Sequence, residues 1–222
     1  MRKTEDAYFL KGLRKQLVMQ LKEKGITDVK VLSAIDAIPR HYFLDAAFNR
    51  IAYEDRAFPI DANQTISQPY TVAFQTELLK IKKGDKVLEI GTGSMYQTAI
   101  LAALGAKVFT IERQKALFDQ THQFAKVFGD QFPDVQFFYG DGFEGLPHLA
   151  PFDKIIITAA APNVPVPLWD QLKVRGIMVI PVDESEMVQR MLRLTKKKDG
   201  MAKRESFDEF SFVPMLQGKS QG

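Results

Sequence analysis

The feature that most constrains the fold is an alternation of short β-rich runs with helical stretches, which begins at Lys86. Helical patterns at about 95–104, 114–128 and 166–173 separate the runs. Strands that alternate with helices pair in parallel under helical cover, so this order predicts an α/β fold with a mostly parallel, doubly wound sheet. The predicted strands are Val87–Ile90, Val108–Ile111, Val135–Tyr139, Ile155–Thr158 and Ile177–Ile180.

The N-terminal part of the chain carries helical patterns instead. Apolar residues recur at three- and four-residue spacing over residues 6–24, and Thr27 is placed to cap a second helix over 28–37. A third helical pattern covers Tyr70–Lys80, and Pro69 is well placed at its first turn. We therefore expect N-terminal helices ahead of the sheet.

The C-terminal part has the pattern of a hairpin. Val188–Thr195 and Phe207–Pro214 have strand character, and they flank the turn-forming segment Lys196–Gly200. We therefore expect the sheet to end in antiparallel strands.

Length and composition are those of one globular domain. The chain has 222 residues, of which 45% are hydrophobic and 26% charged, and no linker divides it. We predict a single domain over 1–222, with an N-terminal helical and substrate-side segment (1–80) and a ligand-binding core (81–222). Because cysteine is absent, disulfides, thiolate metal sites and a cysteine nucleophile are excluded.

Charge and hydropathy limit the kinds of partner that the protein is expected to bind. A net charge of +3 is weak evidence for nucleic acid, so we expect no stable nucleic-acid complex. The chain starts with polar residues where a signal peptide would be apolar, and its apolar runs are far shorter than the roughly 20 residues that cross a bilayer. We expect a cytoplasmic protein, without a membrane partner, that acts as a monomer.

A glycine-rich turn marks the expected ligand site. The first core strand runs into Gly91-Thr92-Gly93-Ser94 before a helix. In a doubly wound sheet this turn lies at the edge where ligands bind: Gly91 allows the tight turn, and Gly93 lets a ligand approach the backbone. Taken alone, such glycines could also do no more than permit the turn.

Two acidic residues are expected at the same edge. Glu112 follows the second strand, about 20 residues beyond the glycines, where a carboxylate can accept hydrogen bonds from ribose hydroxyls. Asp141 follows the third strand and can contribute a further polar group at this edge. The alternative role of Glu112 is a helix cap, and that of Asp141 is a plain turn residue. Tyr96 stands where a dinucleotide fingerprint needs a small residue, which favours S-adenosylmethionine over NAD.

The motif around the glycine turn resembles that of a known family. Val87–Ser94 followed by Tyr96-Gln97 resembles the cofactor motif of protein-L-isoaspartate (D-aspartate) O-methyltransferases. Ordered matches over about residues 30–218 are more specific than one glycine motif. The further matches are Gln64–Tyr70, Thr110–Arg113, Gly140–Gly142, Pro151–Asp153, Thr158–Pro162 and Phe212–Pro214.

The resemblance implies a fold, a reaction and a set of site residues. The fold is that of a class I S-adenosylmethionine-dependent methyltransferase, which is Rossmann-like. The reaction transfers methyl from S-adenosylmethionine to the α-carboxylate of L-isoaspartyl residues, leaves S-adenosylhomocysteine, and initiates repair of damaged proteins and peptides; D-aspartyl residues are a further candidate substrate. The implied catalytic residue is Ser67, whose alternative role is a helix cap before Pro69. The implied cofactor-binding residues are Glu89, Gly91, Thr92, Gly93, Ser94, Glu112, Arg113, Asp141, Gly142 and Thr158, and the implied substrate-binding residues are Ile66, Ser67, Ala160, Ala161 and Val213.

This reaction needs no general base and no metal. The substrate carboxyl has a pKa of roughly 3.5 to 4, so the nucleophile is already ionised at neutral pH. His41, His122 and His148 show neither the spacing of metal ligands nor a triad partner, and we expect structural roles for them. Ser67 is expected to orient the carboxylate by a hydrogen bond.

Two other functions are alternatives to methylation of isoaspartyl residues. A nucleic-acid base methyltransferase usually carries an Asn-Pro-Pro-Tyr type element after the fourth strand, where this chain has Thr158–Asn163. A cofactor-binding homologue with impaired activity is the other, because Met95 and Asp61-Ala62-Asn63 stand where the family usually has glycine. We expect the backbone at Met95 to be helical, with its side chain turned away from the ligand into the helix packing.

Overall fold

A seven-stranded sheet lies at the centre of this computed structural model, which describes residues 5–127, 131–185 and 188–220. Within these ranges the helices are α1 (Tyr8–Glu23), α2 (Val29–Ala37), α3 (Pro69–Leu79), α4 (Tyr96–Ala103), α5 (Lys115–Val127) and α6 (Val166–Gln171). The strands are β1 (Phe58–Pro59), β2 (Thr65–Ile66), β3 (Lys86–Ile90), β4 (Lys107–Glu112), β5 (Val135–Tyr139), β6 (Phe152–Ile157), β7 (Leu172–Ser185), β8 (Val188–Lys196) and β9 (Ala202–Phe210).

The strand order of the large sheet is β5-β4-β3-β6-β7-β8-β9. Strands β3 to β7 pair in parallel, whereas β7, β8 and β9 pair antiparallel. The chain leaves β3 towards β4 on one side and returns to β6 on the other, so the order reverses between β3 and β6. Ligands of doubly wound sheets bind at such a switch point, beyond the carboxyl ends of the strands.

Helices cover both faces of the sheet. On one face Val87 of β3 packs with Leu79 of α3 and Leu101 of α4. On the other face Leu88 lies in the same cluster as Leu168 of α6. Successive residues of a strand point to opposite faces, so the near-continuous apolar run of β3 is what a strand buried on both sides requires.

The start of α2 differs from the prediction that Thr27 caps it. Asp28 is the N-cap, and its side chain accepts hydrogen bonds from the backbone N–H groups of Lys30 and Val31. The Thr27 hydroxyl instead donates to the carboxylate of Glu77 in α3, at 2.8 Å. The helix therefore begins one residue later than predicted. Thr27 is hydrogen-bonded to Glu77, and Asp28 caps the helix because aspartate caps a helix as well as threonine does.

The last strand also differs from its predicted range, Phe207–Pro214. A tight turn, in which the N–H of Gly200 donates to the carbonyl of Lys197, lets β9 start at Ala202 and end at Phe210. The next residues leave the sheet, and Pro214 pairs with Ala160 beyond the end of β6. Residues 213–220, called the C-terminal strap below, then cross the carboxyl ends of the parallel strands.

The backbone at Met95 is left-handed, with φ of 74°, so the expectation of a helical residue there is wrong. The chain leaves β3 through positive φ values at Gly91 (94°) and Gly93 (50°). The N–H of Met95 then donates to the carbonyl of Thr92 at 2.8 Å, which closes the turn before α4 begins. The Met95 side chain is fully buried in the core between the N-terminal helices and α4.

Glu89 is a fully buried carboxyl group in the middle of the sheet. Its Oε2 accepts a hydrogen bond from the Thr98 hydroxyl at 2.6 Å, and its Oε1 has no partner among the described residues. Burial raises the pKa of Glu89 to about 8, although the hydroxyl groups of Thr98 and Thr110 act in the opposite direction. At neutral pH the protonated form therefore predominates.

The left-handed backbone at Met95 can be tested with Met95→Gly and Met95→Ala. Both variants lose the buried side chain and should be less stable than the wild type by roughly 2–5 kcal/mol. Glycine relieves the left-handed strain that alanine keeps, so Met95→Gly should be the more stable of the two by about 1 kcal/mol. Chemical denaturation measures the difference; a helical backbone would give the opposite order, with alanine ahead by about 1 kcal/mol.

The burial of Glu89 predicts a pH dependence of stability. Between an ordinary pKa of 4.5 and the raised value of about 8, the folded protein keeps a proton that the unfolded chain releases. Its stabilising contribution is therefore full below about pH 4.5 and is lost as the pH rises to 8, at up to about 1.4 kcal/mol per pH unit. Denaturation of wild type and Glu89→Gln at pH 5 and pH 8 should show a smaller decline in the variant; parallel curves would contradict the assignment.

Candidate active site

A cleft opens beyond the carboxyl ends of β3, β4 and β6, at the switch point of the sheet. It is called the cofactor cleft below. Its walls come from the β3–α4 turn, the ends of β4 and β6, the β2–α3 segment and the C-terminal strap. The lining residues are Gln64, Thr65, Ile66, Ser67, Val72, Ile90, Gly91, Thr92, Gly93, Ser94, Gln97, Ile111, Glu112, Arg113, Gln114, Gly142, Thr158, Ala159, Val213, Pro214, Met215 and Leu216.

Thr158 fixes the glycine turn from below. Its hydroxyl lies 2.9 Å from the carbonyl oxygens of both Ile90 and Gly91. A Cβ added to Gly91 would come within 2.4 Å of the Thr158 Oγ1, and φ at Gly91 is positive as well. Glycine is thus required at this position both for the turn and for the approach of Thr158.

The carboxylate of Glu112 lies at the end of β4, against the glycine turn. Its Oε2 accepts from the N–H of Gly93 at 3.0 Å, and its Oε1 accepts from the N–H of Gln114 at 2.8 Å. Burial raises the pKa of Glu112, while these backbone donors lower it. A carboxylate has about four acceptor positions, so acceptor positions remain for hydroxyl donors of a ligand in the cleft.

The C-terminal strap forms hydrogen bonds with Arg113 and Asp141, two of the predicted cofactor-binding residues. The Arg113 guanidinium donates to the carbonyl of Gly218 at 3.0 Å, and the Asp141 carboxylate accepts from the N–H of Gly218 at 2.6 Å. The N–H of Ser220 donates to the carbonyl of Arg113 at 2.9 Å. Held in this way, the strap places Met215 against the cofactor cleft, where it adds an apolar wall.

A second cleft adjoins the first and is called the peptide cleft below. Thr65, Ser67, Thr158 and Val213 line both clefts, so these residues mark the junction between them. Its remaining walls come from the start of α3, the start of β8, the end of β9 with the two residues that follow it, and the residue before β1. They are formed by Ala57, Gln68, Tyr70, Thr71, Val188, Asp208, Glu209, Phe210, Ser211 and Phe212.

Ser67 lies at this junction and does not cap α3. The N-cap residue is Gln68, and the Asp55 carboxylate accepts from the N–H of Tyr70 at 2.8 Å, which is the bond a capping serine would have made. The Ser67 hydroxyl forms no hydrogen bond with another described residue. Because Asp55 accepts the hydrogen bond at the start of α3, the Ser67 hydroxyl stays available to a bound molecule.

Four of the implied site residues lie outside the cofactor cleft. Glu89 is sealed inside the sheet, and Asp141 faces the strap. Ala160 and Ala161 are buried, and their backbone N–H groups donate to the carbonyls of Val213 and Pro181. The two alanines position the strap and β7, while the neighbouring Ala159 lines the cleft. The other implied residues line the cleft.

The sequence patterns also missed several lining residues. Gln97 stands in the quoted cofactor motif, and its amide donates to the Thr76 hydroxyl at 3.0 Å, but a helical glutamine gives no local signal of a site. Met215 and Leu216 come from a segment without periodicity, so only the folded strap could identify them.

The histidines take no part in the cofactor cleft. His41 is buried, and its Nδ1 lies 2.7 Å from the Tyr53 hydroxyl. Burial lowers the pKa of His41. His122 stacks on Phe118.

In the described part of the chain no helix has the length and apolarity needed to cross a membrane.

Comparison with known proteins identifies the family. The family model described as protein-L-isoaspartate(D-aspartate) O-methyltransferase matches residues 12–220. A protein-L-isoaspartate O-methyltransferase of Christiangramia forsetii is 54% identical over 97% of this chain and 100% of its own. One of Dictyoglomus thermophilum is 47% identical over 91% of this chain and 90% of its own.

Solved structures agree with the fold. A protein-L-isoaspartate O-methyltransferase superimposes with a TM-score of 0.81 at 28% identity; the match covers 90% of this chain and 65% of that longer one. A structure described as a putative protein-L-isoaspartate O-methyltransferase from Plasmodium falciparum, in complex with S-adenosyl-L-homocysteine, has a TM-score of 0.79 at 24% identity, and the match covers 91% of this chain and 98% of that one. The predicted class I methyltransferase fold and enzyme class are confirmed, and with matches of this extent the chain belongs to the protein-L-isoaspartate(D-aspartate) O-methyltransferase family.

Proposed function

We propose that the protein transfers a methyl group from S-adenosylmethionine to the α-carboxylate of L-isoaspartyl residues in damaged proteins and peptides, with D-aspartyl residues as a further substrate. The observation that carries this proposal is the hydroxyl of Ser67, which lies at the junction of two clefts and has no hydrogen-bond partner among the described residues. One cleft suits the cofactor and the other suits a peptide, and the reacting groups would meet where they join.

The residues of the cofactor cleft fit S-adenosylmethionine. The Glu112 carboxylate would accept from the ribose hydroxyls, as acidic residues do at this place in doubly wound folds. Gly91 and Gly93 leave the backbone bare beside the methionine end, while Ile111 and Met215 offer apolar walls to the adenine ring. When bound, the cofactor supplies an electrophilic methyl group on a positively charged sulfur.

The chain's own contribution to the chemistry is alignment. The substrate carboxylate is ionised at neutral pH because its pKa is roughly 3.5 to 4. The Ser67 hydroxyl would donate a hydrogen bond to one carboxylate oxygen and turn the other towards the methyl group. Alignment of two reacting centres can contribute about 7–11 kcal/mol in favourable intramolecular models. The amide nitrogen of the substrate then attacks the methyl ester without catalysis and displaces methanol to form a succinimide, and addition of water to the succinimide restores some normal aspartate.

The two parts of the chain act as one domain over 1–222. Residues 1–80 supply Ser67 and the wall before it, and residues 81–222 supply the glycine turn and Glu112. We place the protein in the cytoplasm as a monomer that forms no stable complex with nucleic acid or membrane. Its partners are isoaspartyl-containing proteins and peptides.

The proposal is tested by a single-turnover assay with radiolabelled S-adenosylmethionine. An isoaspartyl peptide should take up label, and the same peptide with normal aspartate should not. Duplex DNA and RNA serve as further acceptors. Label on nucleic acid alone would indicate the rival methyltransferase, and cofactor binding without transfer to any of these acceptors would indicate an impaired homologue.

Substitution of Ser67 by alanine separates binding from turnover. A hydrogen bond to a charged group contributes about 1.5–3 kcal/mol, so kcat/KM for the isoaspartyl peptide should fall about 10- to 100-fold. Cofactor affinity and the unfolding midpoint should remain near wild type, because Ser67 neither caps α3 nor bonds another described residue. Ser33→Ala, at an exposed serine of α2 outside both clefts, is the matched control and should leave turnover unchanged. Unchanged turnover in Ser67→Ala would remove the proposed role.

Substitution of Glu112 by alanine should weaken cofactor binding. Loss of charge-assisted bonds to the ribose predicts a Kd about 10- to 100-fold higher in calorimetry. Glu112→Gln should lie between wild type and alanine, since its amide keeps one oxygen acceptor. Because Glu112 also holds Gly93 and Gln114, circular dichroism must show that both variants are folded. Wild-type affinity in folded Glu112→Ala would contradict the ribose contact.

A further inference from the structure

We propose that the peptide cleft contains a subsite for a basic side chain, so that the enzyme favours isoaspartyl residues with a neighbouring lysine or arginine. This inference rests on the proposed function, and it names a specificity determinant, Asp208. Two independent properties of the cleft wall support it, one aromatic and one electrostatic.

Aromatic rings form one wall of the cleft. Tyr70 at the start of α3 and Phe210 at the end of β9 stack with ring centroids 6.2 Å apart and an interplanar angle of 8°. Phe212 follows at 6.3 Å from Phe210, and all three residues line the cleft. Such rings contact the methylene stem of a lysine or arginine and attract its charge through their faces.

Among the described residues, two charged side chains line the cleft, and both are acidic: Asp208 and Glu209. Glu209 shares the Arg190 guanidinium with Glu184, at 3.4 Å and 2.6 Å. Asp208 is exposed, and it forms neither an ion pair nor a hydrogen bond with any described residue. Asp208 also interacts electrostatically with Arg190, but that guanidinium is already paired with Glu184 and Glu209, so the three carboxylates leave a net negative charge at this wall.

The cation beside the aromatic wall, Lys24, does not offset this charge. The Lys24 ammonium lies 5.7 Å from the Tyr70 ring centroid, but it is paired with Asp55 at 2.6 Å and does not line the cleft. A cleft with an aromatic wall and a net negative lining attracts a cationic side chain. The same lining repels a glutamate or aspartate beside the isoaspartyl residue.

The test uses isoaspartyl peptides that differ at one neighbouring position, on either side of the isoaspartate. Lysine, norleucine and glutamate are compared at that position, since norleucine keeps the stem of lysine without its charge. For wild type, kcat/KM should decrease in the order lysine, norleucine, glutamate on at least one side, chiefly through KM. An exposed ion pair corresponds to about a 1.4- to 5-fold effect, and added salt should shrink it.

Asp208→Asn should bring the lysine and norleucine peptides to similar kcat/KM values, and Asp208→Lys should favour the glutamate peptide. The uncharged norleucine peptide serves as the reference for each protein, so the lysine and glutamate peptides are compared with it as ratios of kcat/KM. Asp170→Asn, at an exposed aspartate of α6 outside both clefts, makes the same change of charge and should leave the order intact.

Equal use of the three peptides by wild type, or an order that Asp208→Asn leaves unchanged, would overturn the subsite. Failure of wild type to methylate even the norleucine peptide would instead overturn the proposed function, so the two failures are distinguishable.

Discussion

The Glu112 carboxylate accepts hydrogen bonds from Gly93 in the turn after β3 and from Gln114 just before α5. One side chain thus ties together the two loops that meet at the switch point of the sheet. Thr121 of α5 adds a bond from its hydroxyl to the carbonyl of Gly93 at 2.9 Å. The floor of the cofactor cleft is therefore set before any ligand arrives, and each of these contacts depends on the parallel register of β3 and β4.

The junction between the clefts depends on a different division of roles. Asp55 caps α3 and pairs with Lys24, so the segment before the helix is anchored without Ser67. On the opposite side the strap is bonded to Ala160, which holds Val213 beside Thr158. Asp55 and Ala160 thus hold the two sides of the junction, and the Ser67 hydroxyl between them has no hydrogen-bond partner among the described residues. Pre-organised alignment of this kind is what a reaction with an already ionised nucleophile needs.

Local sequence patterns predicted the parts of this structure that local physics determines. The apolar run of β3, the glycines after it and the proline that opens α3 each satisfy a short-range rule, and their elements appear within a few residues of expectation. The predicted end of β9 was wrong because the β8–β9 turn sets the register. Asp141 and Ala160 follow the family motif, yet their partners lie in the strap, about 50 to 80 residues away along the chain. Ala161 follows the same motif, and its partner Pro181 lies in β7. Contacts that depend on tertiary docking leave no periodicity to detect.

The two departures from the family's glycines share one physical consequence. Met95 has φ of 74°, and Ala62 and Asn63 both have φ of 55° in the β1–β2 hairpin. Each non-glycine residue thus adopts the left-handed backbone that glycine would adopt, at a cost on the order of 1 kcal/mol, which is smaller for asparagine. The departures therefore change the stability of these turns more than their path. At Met95 the buried side chain offsets that cost, since burial of a methionine contributes about 1.5–3 kcal/mol. The backbone beside the cofactor cleft thus follows a path that glycine would also follow, so these departures do not argue for an impaired cofactor-binding role.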